Sequence, residues 1–104
     1  MEDQMIACEN LGDAWLEGSR RQGRFHATED DLIEMFGHPN ASGEWTLRFL
    51  MPTGDVVRAT IYPSFVDHAG RNVQYGTWDI GGYSQQAVSL VGHYLGGQLI
   101  EEVA

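Results

Sequence analysis

The chain has 104 residues, of which 42% are apolar, enough for one domain with a modest core and too apolar for a disordered chain. Fifteen Asp and Glu stand against six Arg, with no Lys, for a net charge of −9. That balance disfavours direct contact with nucleic acid or an anionic membrane, and it suits a basic protein surface, including one built to hold nucleic acid. It also serves solubility alone.

The single cysteine, Cys8, excludes an intramolecular disulfide and a multi-cysteine zinc site. The opening MEDQMIACENLG has neither the basic region nor the long apolar stretch of a signal peptide. No apolar run approaches the roughly 20 residues that span a bilayer. The expected setting is a reducing cytoplasm.

From the N-terminus, Leu11, Ala14, Trp15 and Leu16 have short helical spacing, which Gly12 and Gly18 weaken. The expectation for residues 1–22 is one short helix or an irregular packed segment. SRRQGR (Ser19 to Arg24) gathers three of the six arginines into a loop of local positive charge, and Arg24 to Ala27 suits a short strand.

The next segment is better defined. Thr28 is an N-cap with Asp31 in the capping-box position, and Glu29, Asp30 and Asp31 complement the helix dipole. Leu32, Met35 and Phe36 make one apolar face, Gly37 supplies a C-cap and Pro39 prevents continuation. EWTLRFLM then alternates, with Trp45, Leu47, Phe49 and Met51 on one side, and VVRATIYP alternates after a PTGD turn. These two strands predict an antiparallel hairpin. Ser64 to Asn72 reads as a loop. Gln74 to Ile80 reads as a third strand anchored by Tyr75 or Trp78 and by Ile80. Gly81-Gly82 reads as a turn, and a second helix follows over Ser84 to Leu95. Its apolar stripe is Ala87, Val88, Val91, Tyr94 and Leu95. Gly96-Gly97 stops it, and residues 98–104 form a short tail that adds a strand or stays loose.

The sum is a single α+β domain over residues 1–104. Its two layers would be a three- to four-stranded antiparallel sheet and, on one face, a short and a longer helix. The edges of such a sheet leave room for a homodimer.

No local catalytic motif is present, and no two of His26, His38, His68 and His93 have metal-ligand spacing. Asp67-His68 has the makings of an orienter and a base, but adjacent side chains rarely face each other. Cys8 is either a nucleophile or a small buried apolar residue. The expectation is no catalytic residue, no metal and no cofactor.

Two constellations remain. In IGGYSQQ, two glycines and Ser84 precede a helix, where free N–H groups attract phosphate. Trp78 and Tyr83 could stack on a base and Arg58 reach a phosphate, so Arg58, Trp78, Gly81, Gly82, Tyr83 and Ser84 form a candidate nucleotide site. The plainer reading of the same glycines, and the favoured one, is a strand-to-helix turn with Ser84 as the cap. In the second constellation, Glu29, Asp30, Asp31 and Glu34, with Glu2, Asp3, Glu101 and Glu102 at the termini, imitate the charge row of a nucleic-acid backbone. A solvated helix face that complements its own dipole explains three of the four helix carboxylates as well.

Taken together, the motifs T-x-x-D-L-x-x-x-F-G-x-P (Thr28 to Pro39), Glu44-Trp45, Thr60-Ile61-Tyr62 and W-x-I-G-G (Trp78 to Gly82) resemble a broad group of small bacteriophage-encoded proteins, most without an assigned activity. The likeness covers Gly23 to Leu95. It implies a compact α+β fold and a phage or prophage origin, and no activity. By analogy with small acidic phage proteins, the leading expectation is a counter-defence protein of the anti-CRISPR type. It would act in the cytoplasm of the host bacterium by blocking a host defence protein with a basic surface, through Glu29, Asp30, Asp31 and Glu34. The alternatives are sequestration of a nucleotide immune signal at Gly81-Gly82, or a phage accessory role with no part in defence.

Overall fold

The computed structural model describes residues 7–14, 16–64, 76–95 and 99–102. The protein is α+β, as expected. Six strands and two helices follow the order β1 (Ala7–Asn10), β2 (Arg20–His26), α1 (Glu29–Phe36), β3 (Trp45–Leu50), β4 (Val56–Pro63), β5 (Thr77–Gly82), α2 (Gln86–Leu95) and β6 (Leu99–Glu102). The strands form one sheet in the order β1-β3-β4-β5-β2-β6, with every neighbouring pair antiparallel.

The sheet is wider than the three or four strands expected. Its middle is the predicted hairpin and third strand, and β2, β6 and β1 widen it. Residues 7–10 were expected to be helical or irregular. They pair instead with β3, Cys8 opposite Phe49 and Asn10 opposite Leu47. No helix forms over Leu11 to Leu16 among the described residues, and that stretch is an irregular connection. Trp15, Asp67, His68, Tyr75, Gly96, Gly97, Glu2 and Asp3 lie outside the described residues.

Helix α1 has the predicted ends. The Asp31 N–H donates to Thr28 Oγ1 at 3.0 Å and the Thr28 N–H donates to Asp31 Oδ2 at 3.3 Å, a complete capping box. Gly37, at φ 90°, donates its N–H to the Ile33 carbonyl. The β3–β4 turn is held by the Gly54 N–H on the Met51 carbonyl and the Met51 N–H on the Asp55 carbonyl, with Gly54 at φ 95°.

Cross-strand register sorts the sheet into two faces. Trp45, Leu47 and Phe49 stand opposite Ile61, Ala59 and Val57, and Ile61 stands opposite Ile80. This inner face shares one core cluster with Leu32 and Phe36 of α1 and with Ala87, Val88, Leu90, Val91 and Leu95 of α2. Tyr94 joins the helices to the sheet, its ring 5.8 Å from Phe36 and 5.5 Å from Phe49. Trp45 and Trp78 meet edge to face at 5.5 Å.

The expected turn at Gly81-Gly82 is a correction. Both glycines belong to β5, a strand paired on both sides and buried at all six residues. A Cβ on Gly82 would lie 2.7 Å from the Ala87 Cβ and 3.2 Å from the Arg58 carbonyl oxygen. A Cβ on Gly81 would lie 2.4 Å from Thr60 Oγ1 and 3.3 Å from the Tyr62 ring. The glycines are there because neighbours press on the backbone from both faces.

Two outcomes follow. Gly82→Ala should cost about 1–3 kcal/mol in urea unfolding, as overpacking does, because the Ala87 Cβ at 2.7 Å is fixed to the α2 backbone and the Arg58 carbonyl closes the other side. Gly81→Ala should also destabilise, but Thr60→Ala in the same chain should restore part of the loss. Strictly additive effects in that double-mutant cycle would contradict the contact.

Candidate functional site on the outer face of the sheet

The face of the sheet away from the helices is polar. Register places Tyr62 beside Asp79 and Asp79 beside Arg24, and Thr46 beside Thr60, Gly81 and Arg21 in the next row. Arg21 and Arg24 are three residues apart, which in a regular strand would put them on opposite faces. The register shift between Arg21 and Gly23 brings both to the outer face. There Asp79, only 6% exposed, accepts from Arg24 Nε at 3.0 Å and from Ser64 Oγ at 2.9 Å, with Arg21 Nη1 at 3.8 Å. Further along, Arg48 stands opposite Arg58, and the ion pair of Arg48 with Glu9 offsets that like-charge contact.

The connection from β1 to β2 passes over this face. The Leu11 N–H donates to the Thr46 carbonyl, the Thr46 hydroxyl donates to the Ala14 carbonyl, and the Tyr83 hydroxyl donates to the Glu17 carbonyl. A third segment, residues 40–44, closes one side. Asn40 organises it, accepting at its side-chain oxygen from the Ser42 and Glu44 N–H groups and donating to the Gly12 carbonyl.

Between these parts lies a cavity of about 470 Å³, within the size range of small-ligand sites. Thr46, Thr60 and Tyr62 form its floor. Asp13, Ala14, Leu16, Gly18 and Ser19 lie on the connection side, and Asn40, Ser42 and Glu44 on the third. Burial pushes the Glu44 carboxyl above its ordinary value. Burial, then the Asp79 carboxylate, pushes the Tyr62 phenol up; Glu44 adds to this, while Arg21 and Arg24 act against it. Tyr62 is therefore a neutral hydroxyl at pH 7, able to donate and to accept. Sequence reasoning missed this site, since Glu44 and Tyr62 appeared only within short motifs. A second hollow, of about 290 Å³, lies at His26, Ala27, Thr28, Asp31 and Gly76, where Asp31 is engaged in the capping box.

The residues singled out from sequence fare differently. Glu29, Asp30, Asp31 and Glu34 are all exposed and together on α1. Asp31 is committed to the cap; Glu29, Asp30 and Glu34 have no ion-pair partner among the described residues. The backbones of Glu101 and Glu102 lie in β6. The nucleotide constellation is not brought together. Trp78 is 3% exposed and donates its indole N–H to the Ala27 carbonyl within the core. Arg58 is on the opposite, outer face. Gly81 and Gly82 are in mid-sheet, and α2 begins only at Gln86, with Ser84 Oγ accepting the Gln86 N–H. Tyr83 is open to solvent, at 53% exposure, with its hydroxyl donated to the Glu17 carbonyl; Arg58 and Ser84 are exposed as well, but not beside the buried Trp78 ring.

Cys8 is half-buried in β1, and burial together with Glu9 pushes its thiol up to about 11. It is held protonated at neutral pH, the reverse of an activated nucleophile. Among the described residues no group of His, Cys, Asp and Glu is placed to hold a metal ion, and no helix is long and apolar enough to cross a membrane.

A raised folded-state value for Glu44 means that ionising it opposes folding. That effect is absent below the ordinary carboxyl value of 4.5 and grows as pH rises through the folded value. Glu44→Gln should therefore be more stable than the parent at pH 7, with the difference vanishing below pH 4.5 in parallel urea titrations. A variant less stable at pH 7 would mean that the carboxylate is favourably held. In comparison with known proteins, no family model, curated protein or solved structure matches the chain.

Proposed function

We propose that this is a non-catalytic binding protein that occupies a basic surface of another protein through the outward carboxylates of α1. The observation supporting this is the state of Glu29, Asp30 and Glu34. They are exposed and lack ion-pair partners among the described residues, while Arg21, Arg24 and Arg48 are tied to Asp79 and Glu9 on the sheet. The dipole explains Glu29 and Asp30 in the first turn; Glu34 lies beyond its reach. Met35, 46% exposed beside Glu34, offers an adaptable apolar contact within the same patch.

A protein built to hold nucleic acid presents the matching surface, and the phage-like motifs supply its setting. The partner class is thus a nucleic-acid-binding effector of host defence, met in the host cytoplasm. Charge matching of this kind mainly accelerates association.

The test is phage plating on bacteria that carry single defence systems and express this protein. Plaques should return against a CRISPR-type effector. The variant Glu29→Lys/Asp30→Lys/Glu34→Lys, which keeps Asp31 for the cap, should lose that rescue while its circular dichroism is retained. With the purified effector, its association rate should fall on the order of 10- to 1,000-fold at low salt. Equal rescue by the triple variant would sink the α1 mechanism. Absence of rescue against every nucleic-acid-binding effector would remove the defence reading.

A further inference from the structure

The cavity on the outer face has a definite chemical bias. Its described lining holds two carboxylates, Asp13 and Glu44, the hydroxyls of Ser19, Ser42, Thr46, Thr60 and Tyr62, and no Arg or His. Asp13 Oδ1 already accepts the Ala41 N–H at 3.4 Å, and the Thr46 hydroxyl is donated to the Ala14 carbonyl, leaving its lone pairs to accept. The Glu44 carboxylate and the Tyr62 hydroxyl have no hydrogen-bond or ion-pair partner among the described residues. Glu44 is nonetheless half-buried. A carboxylate withdrawn from water without a counter-charge is a cost to the folded chain unless something pairs with it. Arg21 and Arg24, whose charges are felt by Tyr62, are engaged by Asp79.

We propose that this cavity receives a guanidinium side chain presented by the basic partner. The inference rests on the binding function assigned above and adds a second, shaped contact to it. A guanidinium is planar and carries five donors, which suits a lining made chiefly of acceptors. Glu44 takes the fork in two parallel hydrogen bonds, and the lone pairs of Thr46, Thr60 and Tyr62 take the remaining N–H groups. The pairing relieves the desolvation of Glu44, so the cation meets a site already arranged for it. The Gly81 backbone permits that arrangement, because a side chain there would displace Thr60 and Tyr62. An arginine seated in such a pocket is a desolvated anchor, the element that charge matching at α1 does not supply.

The test uses the isotope-labelled full chain and small probes, with no partner present. N-acetyl-arginine methylamide should shift the amide signals of Glu44, Thr46, Thr60 and Tyr62 saturably. The isosteric citrulline compound, which lacks the charge, should not. Glu44→Gln should weaken arginine binding by about tenfold or more, the worth of one charge-assisted contact. Equal binding of citrulline, or shifts confined to Glu29–Glu34, would overturn the proposal. Agmatine binding about tenfold tighter than the blocked arginine would reassign the cavity to a free small cation and overturn the partner side chain as its source. The probes need no effector, so failure here leaves the α1 mechanism standing. Loss of the α1 mechanism with the arginine site intact would be equally visible.

Discussion

The structure depends on how closely other elements approach the backbone of β5. This strand lies between β4 and β2 and is buried at every residue. On the inner side, Gly82 lets α2 settle with Ala87 against the sheet, which brings Val88, Val91 and Leu95 into the core. On the outer side, Gly81 leaves the space that Thr60 and Tyr62 occupy. Consecutive glycines normally weaken a strand, since they lose more freedom and pack nothing. Here pairing on both sides and coverage of both faces offset that loss. The same two residues thus set the depth of the helix layer and the shape of the cavity floor.

A second constraint is the irregularity in β2. One extra residue near Gln22 turns Arg21 and Arg24 to the same face, where both reach Asp79. Removing the irregularity would turn one of the two arginines toward the core face, and an uncompensated buried charge is among the costlier defects. Gln22 itself donates to the Gly82 carbonyl and accepts from Gln85, so it fastens the segment leading into α2. Among the described residues, Arg21, Arg24 and Arg48 are thereby held by carboxylates on the sheet, Arg48 by Glu9. The acidic excess is left to other surfaces, α1 among them.

What could be read from the sequence was what is local. The capping box at Thr28 and Asp31, the Gly37 stop, the hairpin of β3 and β4 and the apolar stripe of α2 are set by neighbours within a few residues, and each formed. The α+β class followed from them. The misses are non-local. β1 has four residues and no apolar alternation, so only its pairing with β3 makes it a strand. Gly81 and Gly82 have the composition of a turn, and nothing in their vicinity reveals that Thr60, Tyr62 and Ala87 would press on them from 21, 19 and 5 residues away. The acidic face of α1 was legible because a helix displays its own periodicity. The cavity was not, because three separate segments build it.

The cavity is a consequence of topology. Between Asn10 and Arg20 the chain must pass from one edge of the sheet to the far side of β5, four strand spacings or about 19 Å. The nine intervening residues could reach about 30 Å when extended, so the connection has slack. Gly12 and Gly18, both at positive φ, take up some of it in turns. The rest of the segment is pinned at Leu11, Ala14 and Glu17 to Thr46 and Tyr83. An apolar floor would draw such a strap down and close the gap. A floor of hydroxyls beside a carboxylate cannot be covered that way, because sealing Glu44 from water without a partner would cost more than the strap's few apolar contacts return. The strap therefore stands off from the sheet between its anchors. Asp79 uses its charge to gather two arginines on the sheet; Glu44, without such a partner, keeps a space open.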